Sequence, residues 1–304
     1  MPAAPPYATG GAAVARRGIP KAAVAVGLAL IVVAAIVAAG LLTNWFGLAN
    51  SPVYVMTKQT QYTVSGEKNF VLKRELDDRG SIVKQESKSY IDGTQTYTSS
   101  TEYENDQNGF PERSTTTSKP QNGNENKSTT KFENEFDNQG RPVQIKAKSD
   151  SQTSTVSYEY YGNGNVKASK QEIEMGAPGG SAPQNCLSSE YDEHGYMASR
   201  TVESGFDDSD TAGTEYEFEW AFGSSNVPTG YEASARSFDG SKTHDAGSTD
   251  YTVETDDHGN ITAIYDEDDN LLAEYEYELV NNPSPAARLS ASMKPQVVNV
   301  ASGA

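Results

Sequence analysis

The feature that most restricts this chain is a short unit recurring between residues 76 and 271. It reads as an aromatic or Leu, an Asp, two polar residues, a Gly, one further residue and an apolar residue. Leu76-Asp77-Asp78-Arg79-Gly80-Ser81-Ile82 and Tyr191-Asp192-Glu193-His194-Gly195-Tyr196-Met197 are full copies. Phe136-Asp137-Asn138-Gln139-Gly140 reaches its apolar residue late, at Val143. Thr255-Asp256-Asp257-His258-Gly259-Asn260-Ile261 lacks only the aromatic, and Tyr265-Asp266-Glu267-Asp268-Asp269-Asn270-Leu271 lacks only the Gly. Weaker copies centre on Gly109 and Gly164, and a degenerate one lies around Trp220 to Gly223. Asp and Asn hydrogen-bond to the backbone ahead of them, and Gly supplies a positive φ. Each unit therefore predicts the tight turn of a β-hairpin.

The flanks of these turns alternate with period 2, the signature of half-buried strands. Glu215-Tyr216-Glu217-Phe218-Glu219-Trp220 puts three aromatics on one face and three carboxylates on the other. Tyr275-Glu276-Tyr277-Glu278 and Tyr158-Glu159-Tyr160 do the same. The expectation is an all-β antiparallel meander of about seven or eight hairpin repeats over 58–281. An uncovered aromatic face is unfavourable in water, so either the sheet curls or two sheets stack. Gly176 to Pro183 is then either a connector between halves or a long hairpin loop. A second loop is expected from Pro120 to Thr130.

The pattern resembles the YD repeats of the RHS family of bacterial surface and toxin-associated proteins. Tyr191-Asp192, Tyr265-Asp266 and the variant Phe136-Asp137 carry the likeness, with Gly140, Gly195 and Gly259 as the turn glycines. Arg141 and Asn260 match the polar residue that often follows. The resemblance implies an extended or curled sheet at a bacterial cell surface, in contact with carbohydrate. It does not extend to a core motif or a C-terminal toxin domain.

Residues 22–42 are 21 consecutive residues without a polar side chain. As a helix they would run about 31 Å, the thickness of a hydrocarbon core. Arg16, Arg17 and Lys21 precede the stretch, and Trp45 and Phe46 follow it. This places the N-terminus in the cytoplasm and the rest outside. A cleaved signal, ending near Gly47-Leu48-Ala49, is the competing reading. The organisation expected is a cytoplasmic tail at 1–21, a transmembrane helix at 22–42 and a linker at 43–57. The β-repeat domain at 58–281 and a disordered tail at 282–304 follow.

Beyond residue 50, 21 basic side chains face 42 acidic ones, and the whole chain carries −18. A polyanion such as nucleic acid is a poor partner for so acidic a surface. The single cysteine, Cys186, excludes an internal disulfide. It is expected as a small buried residue or as a link between chains. His194, His244 and His258 fall in polar turns or loops without a nucleophile motif beside them, and read as turn residues. Asp266, Asp268 and Asn270, and Asp208 with Asp210, have the alternation of calcium ligands. The EF-hand Gly and Glu positions are occupied by Leu271 and Tyr277, so solvated turns are the simpler reading. Tyr158, Tyr160, Tyr216, Trp220, Tyr275 and Tyr277 read as core, with a glycan platform as the alternative. Asn126 and Asn260 begin glycosylation sequons.

The function expected is a membrane-anchored, non-enzymatic surface module for binding or adhesion. Its partner would be a glycan or a cell-surface protein, with no catalytic residue, metal or cofactor. The alternative is a structural or accessory subunit of an envelope or secretion complex.

Overall fold

The structure, a computed structural model, describes residues 51–175, 184–205, 211–223, 226–240 and 242–297. Sixteen strands follow one another among the described residues. The first eight are β1 (Val53–Tyr62), β2 (Lys68–Leu76), β3 (Ile82–Ile91), β4 (Thr94–Asn105), β5 (Pro111–Pro120), β6 (Asn126–Phe136), β7 (Pro142–Lys148) and β8 (Gln152–Tyr160). The second eight are β9 (Val166–Met175), β10 (Gln184–Tyr191), β11 (Met197–Gly205), β12 (Ala212–Phe222), β13 (Pro228–Asp239), β14 (Lys242–Thr255), β15 (Ile261–Tyr265) and β16 (Leu271–Val280). Each pairs with its neighbours in sequence.

The ends meet. β1 lies antiparallel to β16, with Val53 opposite Val280 and Gln61 opposite Ala273, so the sheet is a closed barrel. The expected extended, curled or sandwiched sheet is therefore corrected. Closure removes both free edges at once and gives the aromatic face an inside. β1 also takes in Val53 to Thr57, which the sequence assigned to a linker.

The hairpin turns repeat one geometry. In the first, the Asp77 N–H donates to the Ser81 carbonyl and the Gly80 N–H to the Asp77 carbonyl, both at 2.9 Å. The Asp77 carboxylate accepts from the N–H groups of Arg79 and Ser81. The same bonds form around Asp106, Asp137, Asp192, Asp256 and Asp266. The fourth turn residue always has positive φ: 74° at Gly80, 89° at Gly195, and 59° at Asp269 where the glycine is missing. Just before the turn the register slips by one residue, as between Glu75 and Leu76 or Glu190 and Tyr191. This is the bulge that accompanies a three-residue hairpin loop. The degenerate unit turns at Gly223 to Val227, just after Trp220. Pro120 to Thr130 is shorter than expected as a loop, because β6 begins at Asn126.

The outer wall is charged. Glu215, Glu217 and Glu219 alternate with the buried Phe218. Acids and bases pair across neighbouring strands: Lys58 with Glu276, Lys84 with Glu75 at 3.2 Å and Lys148 with Glu133 at 2.7 Å. The lumen has two characters. β11 to β16 fill it with Met197, Phe218, Tyr231, Tyr251, Ile264, Leu272 and Tyr275. β3 to β5 line it with buried Gln85, Ser87, Ser99, Thr101 and Ser114.

One end of the barrel is capped by the C-terminal segment. The short helix α1 (Pro285–Ser290) starts at Ser284, whose hydroxyl accepts from the Ala287 N–H. Ser284 is fully buried, and its N–H donates to the Arg79 carbonyl at 2.7 Å. The Ala286 N–H reaches the Asn108 carbonyl and the Lys294 N–H the Gly195 carbonyl. The cap thus rests on three hairpin turns. Expected to be a disordered tail, it is packed as far as Val297, because Ser284, Ala286 and Ala287 are small enough to lie against turn backbone.

The expected cytoplasmic tail, the apolar stretch 22–42 and Gly176 to Pro183 lie outside the described residues. Among the described residues, no helix is long and apolar enough to cross a membrane. A single-pass localisation built on an open sheet behind a helical anchor is corrected accordingly: the folded part is a closed barrel.

Candidate functional site

A cavity of about 240 Å³ lies in the lumen beneath the cap. Tyr54, Met56, Gln59 and Gln61 of β1, Arg74 of β2 and Tyr277 of β16 form one side. Tyr191, Met197 and Arg200 form the other, from β10 and β11. Asn260 and the segment from Ser290 to Gln296 complete it. Strands half a ring apart thus face one another across it. At this size it lies just below the roughly 300–1,000 Å³ common for small-molecule pockets.

Its polar groups are held from behind. Arg74 Nη1 donates to the Met56 carbonyl at 3.3 Å and Nε to Gln85 at 3.4 Å. Burial pushes its pKa down to about 10, which leaves it a cation at neutral pH. Burial also lowers the pKa values of Arg200 and Lys294. Tyr277 donates to the Ile261 carbonyl at 2.8 Å, which fixes its ring. Asn260 Nδ2 donates to the Asp256 carboxylate at 2.8 Å. Gln296 Nε2 lies 3.1 Å from Met197 Sδ, and its Oε1 is buried without a partner.

Of the residues singled out in the sequence, Tyr277 and Asn260 line this cavity, as do Tyr191 and Met197, which were read there only as parts of a repeat. Asn260 is 7% exposed and bonded to its own turn, so it offers no open glycosylation site. Asn126 is exposed at the start of β6. Tyr158 and Tyr275 are buried in the lumen, and Tyr216 and Trp220 pack against the same cluster. Trp220 Nε1 donates to the Met197 carbonyl, and Tyr160 donates to the Pro142 carbonyl beneath the Arg141 guanidinium. These aromatics build the core, and no described contact makes them an open platform.

His194 sits exposed in its turn and His244 is exposed on β14. His258 stacks on Tyr54 with ring centroids 4.6 Å apart. The Asp266 carboxylate is occupied by the Asp268 and Asn270 N–H groups and by Asn270 Nδ2. Asp208 and Asp210 lie outside the described residues. Among the described residues, no three His, Cys, Asp or Glu side chains gather as a metal site. Cys186 is half-buried between Glu172 and Glu203, and burial raises its thiol pKa.

No family model matches the sequence. The resemblance to the RHS family is corrected by the fold: the hairpins close a barrel and do not form an extended repeat sheet. No characterised protein is detectably related in sequence. Among solved structures, the chain is similar to a crystal structure described as a porin-like protein from Bacteroides vulgatus. The identity is 13% and the TM-score 0.36, with 73% of this chain and 98% of that one covered. At those values the likeness assigns no function.

The wall itself bears on the membrane question. Sixteen strands fall in the porin range, yet a lipid-facing barrel needs an apolar outer band about 25 Å tall. Here Lys73, Glu75, Glu217, Glu219, Glu274 and Glu276 stand at outward positions. Basic residues near a bilayer midplane cost about 2–4 kcal/mol each, with acids costing somewhat less. This wall is chemically suited to water.

Proposed function

We propose that this protein is a non-enzymatic binding module of a cell surface that holds a small polar ligand, of carbohydrate class, in the capped lumen of its barrel. The observation that carries the reading is the cavity shared by opposite walls. Tyr54, Tyr191 and Tyr277 supply flat rings and Gln59, Gln61 and Asn260 supply amide groups around one space. Aromatic faces with a few fixed polar groups are the usual dressing of a small-molecule site. Tyr277 and Asn260 are braced by hydrogen bonds behind them, which lowers the ordering cost of binding.

The reading is taken as non-enzymatic: the described lining residues are tyrosines, amides, cations, a serine and apolar side chains, groups that hold a ligand. Hydrolysis of a glycoside ordinarily needs a pair of carboxyl groups flanking the bond. The charged wall suits a module that meets its ligand in water.

The test is binding of the purified chain to a panel of mono- and oligosaccharides, with and without paired Gln59→Ala and Asn260→Ala substitutions. Saturable binding that is lost in the double variant supports the reading. Binding that survives the double variant moves the ligand to the outer wall and sinks the lumen site. Release of a cleaved product on incubation overturns the non-enzymatic assignment.

A further inference from the structure

The lumen cavity is cationic in a chain whose net charge is −18. Arg74, Arg200 and Lys294 all line it, and no Asp or Glu is among the lining residues. They come from three separate places: β2, β11 on the opposite wall, and the cap. The Arg200 Nε is buried with no hydrogen-bond partner. Taking a guanidinium out of water is costly unless its donors are satisfied. The carboxylate that acts on Lys294 is Asp256. Its oxygens are already engaged by Asn260 Nδ2 and by the N–H groups of His258 and Asn260.

We propose that this cavity binds an anionic ligand, a sugar acid, whose carboxylate is received by Arg200 with Arg74 and Lys294 supporting it. The proposal rests on the lumen-binding reading above and narrows it. An oxyanion supplies the acceptor that Arg200 Nε lacks, and a guanidinium presents its donors in a fork that fits a carboxylate. Tyr191 and Tyr277, on opposite sides, leave faces for the sugar ring. Acidic residues on the outer wall would repel the same ligand, so the lumen is where it settles.

The experiment is calorimetric titration of the full chain with glucuronate, glucose and inorganic sulfate. The proposal expects glucuronate to bind with glucose at least tenfold weaker. Arg200→Gln should weaken glucuronate at least tenfold, whereas Arg113→Gln on the outer wall changes nothing. Circular dichroism checks each variant for folding, and Lys294→Gln replaces Arg200→Gln if the latter fails to fold. Equal binding of glucose and glucuronate, indifferent to either lumen variant, overturns the anionic assignment and leaves the lumen-binding reading standing. Sulfate binding without glucuronate binding overturns the sugar-acid class. No binding of any probe by folded protein overturns this proposal and removes the reading beneath it for small sugars.

Discussion

Tyr231 and Val297 share two hydrogen bonds through one phenol oxygen: the hydroxyl donates to the Val297 carbonyl at 2.7 Å and accepts its N–H at 3.0 Å. A single side chain of β13 thereby imitates the partner strand that Val297 lacks. The Tyr231 ring is itself held between Trp220 and Tyr251, with centroids 4.6 and 4.8 Å away. The cap is tied to the aromatic half of the lumen at its last described residue.

Tyr231→Phe should therefore keep the ring packing and leave two buried backbone groups of Val297 without partners. Unsatisfied buried groups cost about 1–3 kcal/mol each, so a loss of about 2–6 kcal/mol is expected in denaturant unfolding. Hydrogen exchange should rise across the C-terminal segment before it rises in the strands. Uniform exchange throughout the barrel would show that the cap is not a separate unit.

The turn glycines are not equivalent. Gly195 and Gly259 have φ of 89° and 77°, but a Cβ on Gly195 would stand 2.0 Å from the Ser292 carbonyl oxygen and one on Gly259 meets nothing within 4 Å. Gly259→Ala should cost about 1–2 kcal/mol, the left-handed strain alone. Gly195→Ala adds a backbone collision and should cost more, with faster proteolysis after residue 290. Equal losses in thermal melts of the two variants would contradict this account of the cap.

Acid should unfold the barrel through its turns. Burial alone would raise the pKa values of Asp137, Asp256 and Asp266, but the turn hydrogen bonds outweigh it and all three lie below the ordinary carboxylate value. A carboxylate depressed in the folded state contributes stability above its unfolded pKa, near 4, and loses it as pH falls through the folded value. The melting temperature should be nearly flat from neutral to about pH 5, then fall below about pH 4. Replacing all three by Asn should flatten that acid limb. A limb that persists unchanged in the triple variant would shift the cause to other carboxylates.

The charged wall predicts behaviour in lipid. A chain beginning at residue 51, which retains every strand of the closed barrel, should refold without detergent and stay with the aqueous phase when liposomes are floated. Refolding that requires detergent would mean that the wall meets lipid despite its Lys and Glu rows.

Of the cavity, Arg74 was open to reading. Leu72, Arg74 and Leu76 share a phase, so an arginine stood on the inward face of β2 in plain sight. Arg200 was not. Strict alternation from Met197 sends residue 200 outward, but the bulge at the β10–β11 turn pairs Tyr191 with Met197 and Glu190 with Ser199, and that skipped residue turns Arg200 inward. Lys294 was hidden differently, in a segment whose composition resembles a linker.

What the sequence determined by itself is local: the Asp-to-Gly turns, the positive φ they need and the two faces of each strand. Those follow from bonds spanning four residues or fewer, so composition at the spot decides them. Only the tertiary structure decided that β1 meets β16, that the C-terminal segment caps one end and that three cations share a cavity. These depend on the twist and register that sixteen strands accumulate, and on bulges that each reverse the faces of the strand beyond them. A one-residue slip anywhere along the ring would change which side chains meet in the lumen, and no window of sequence contains that sum.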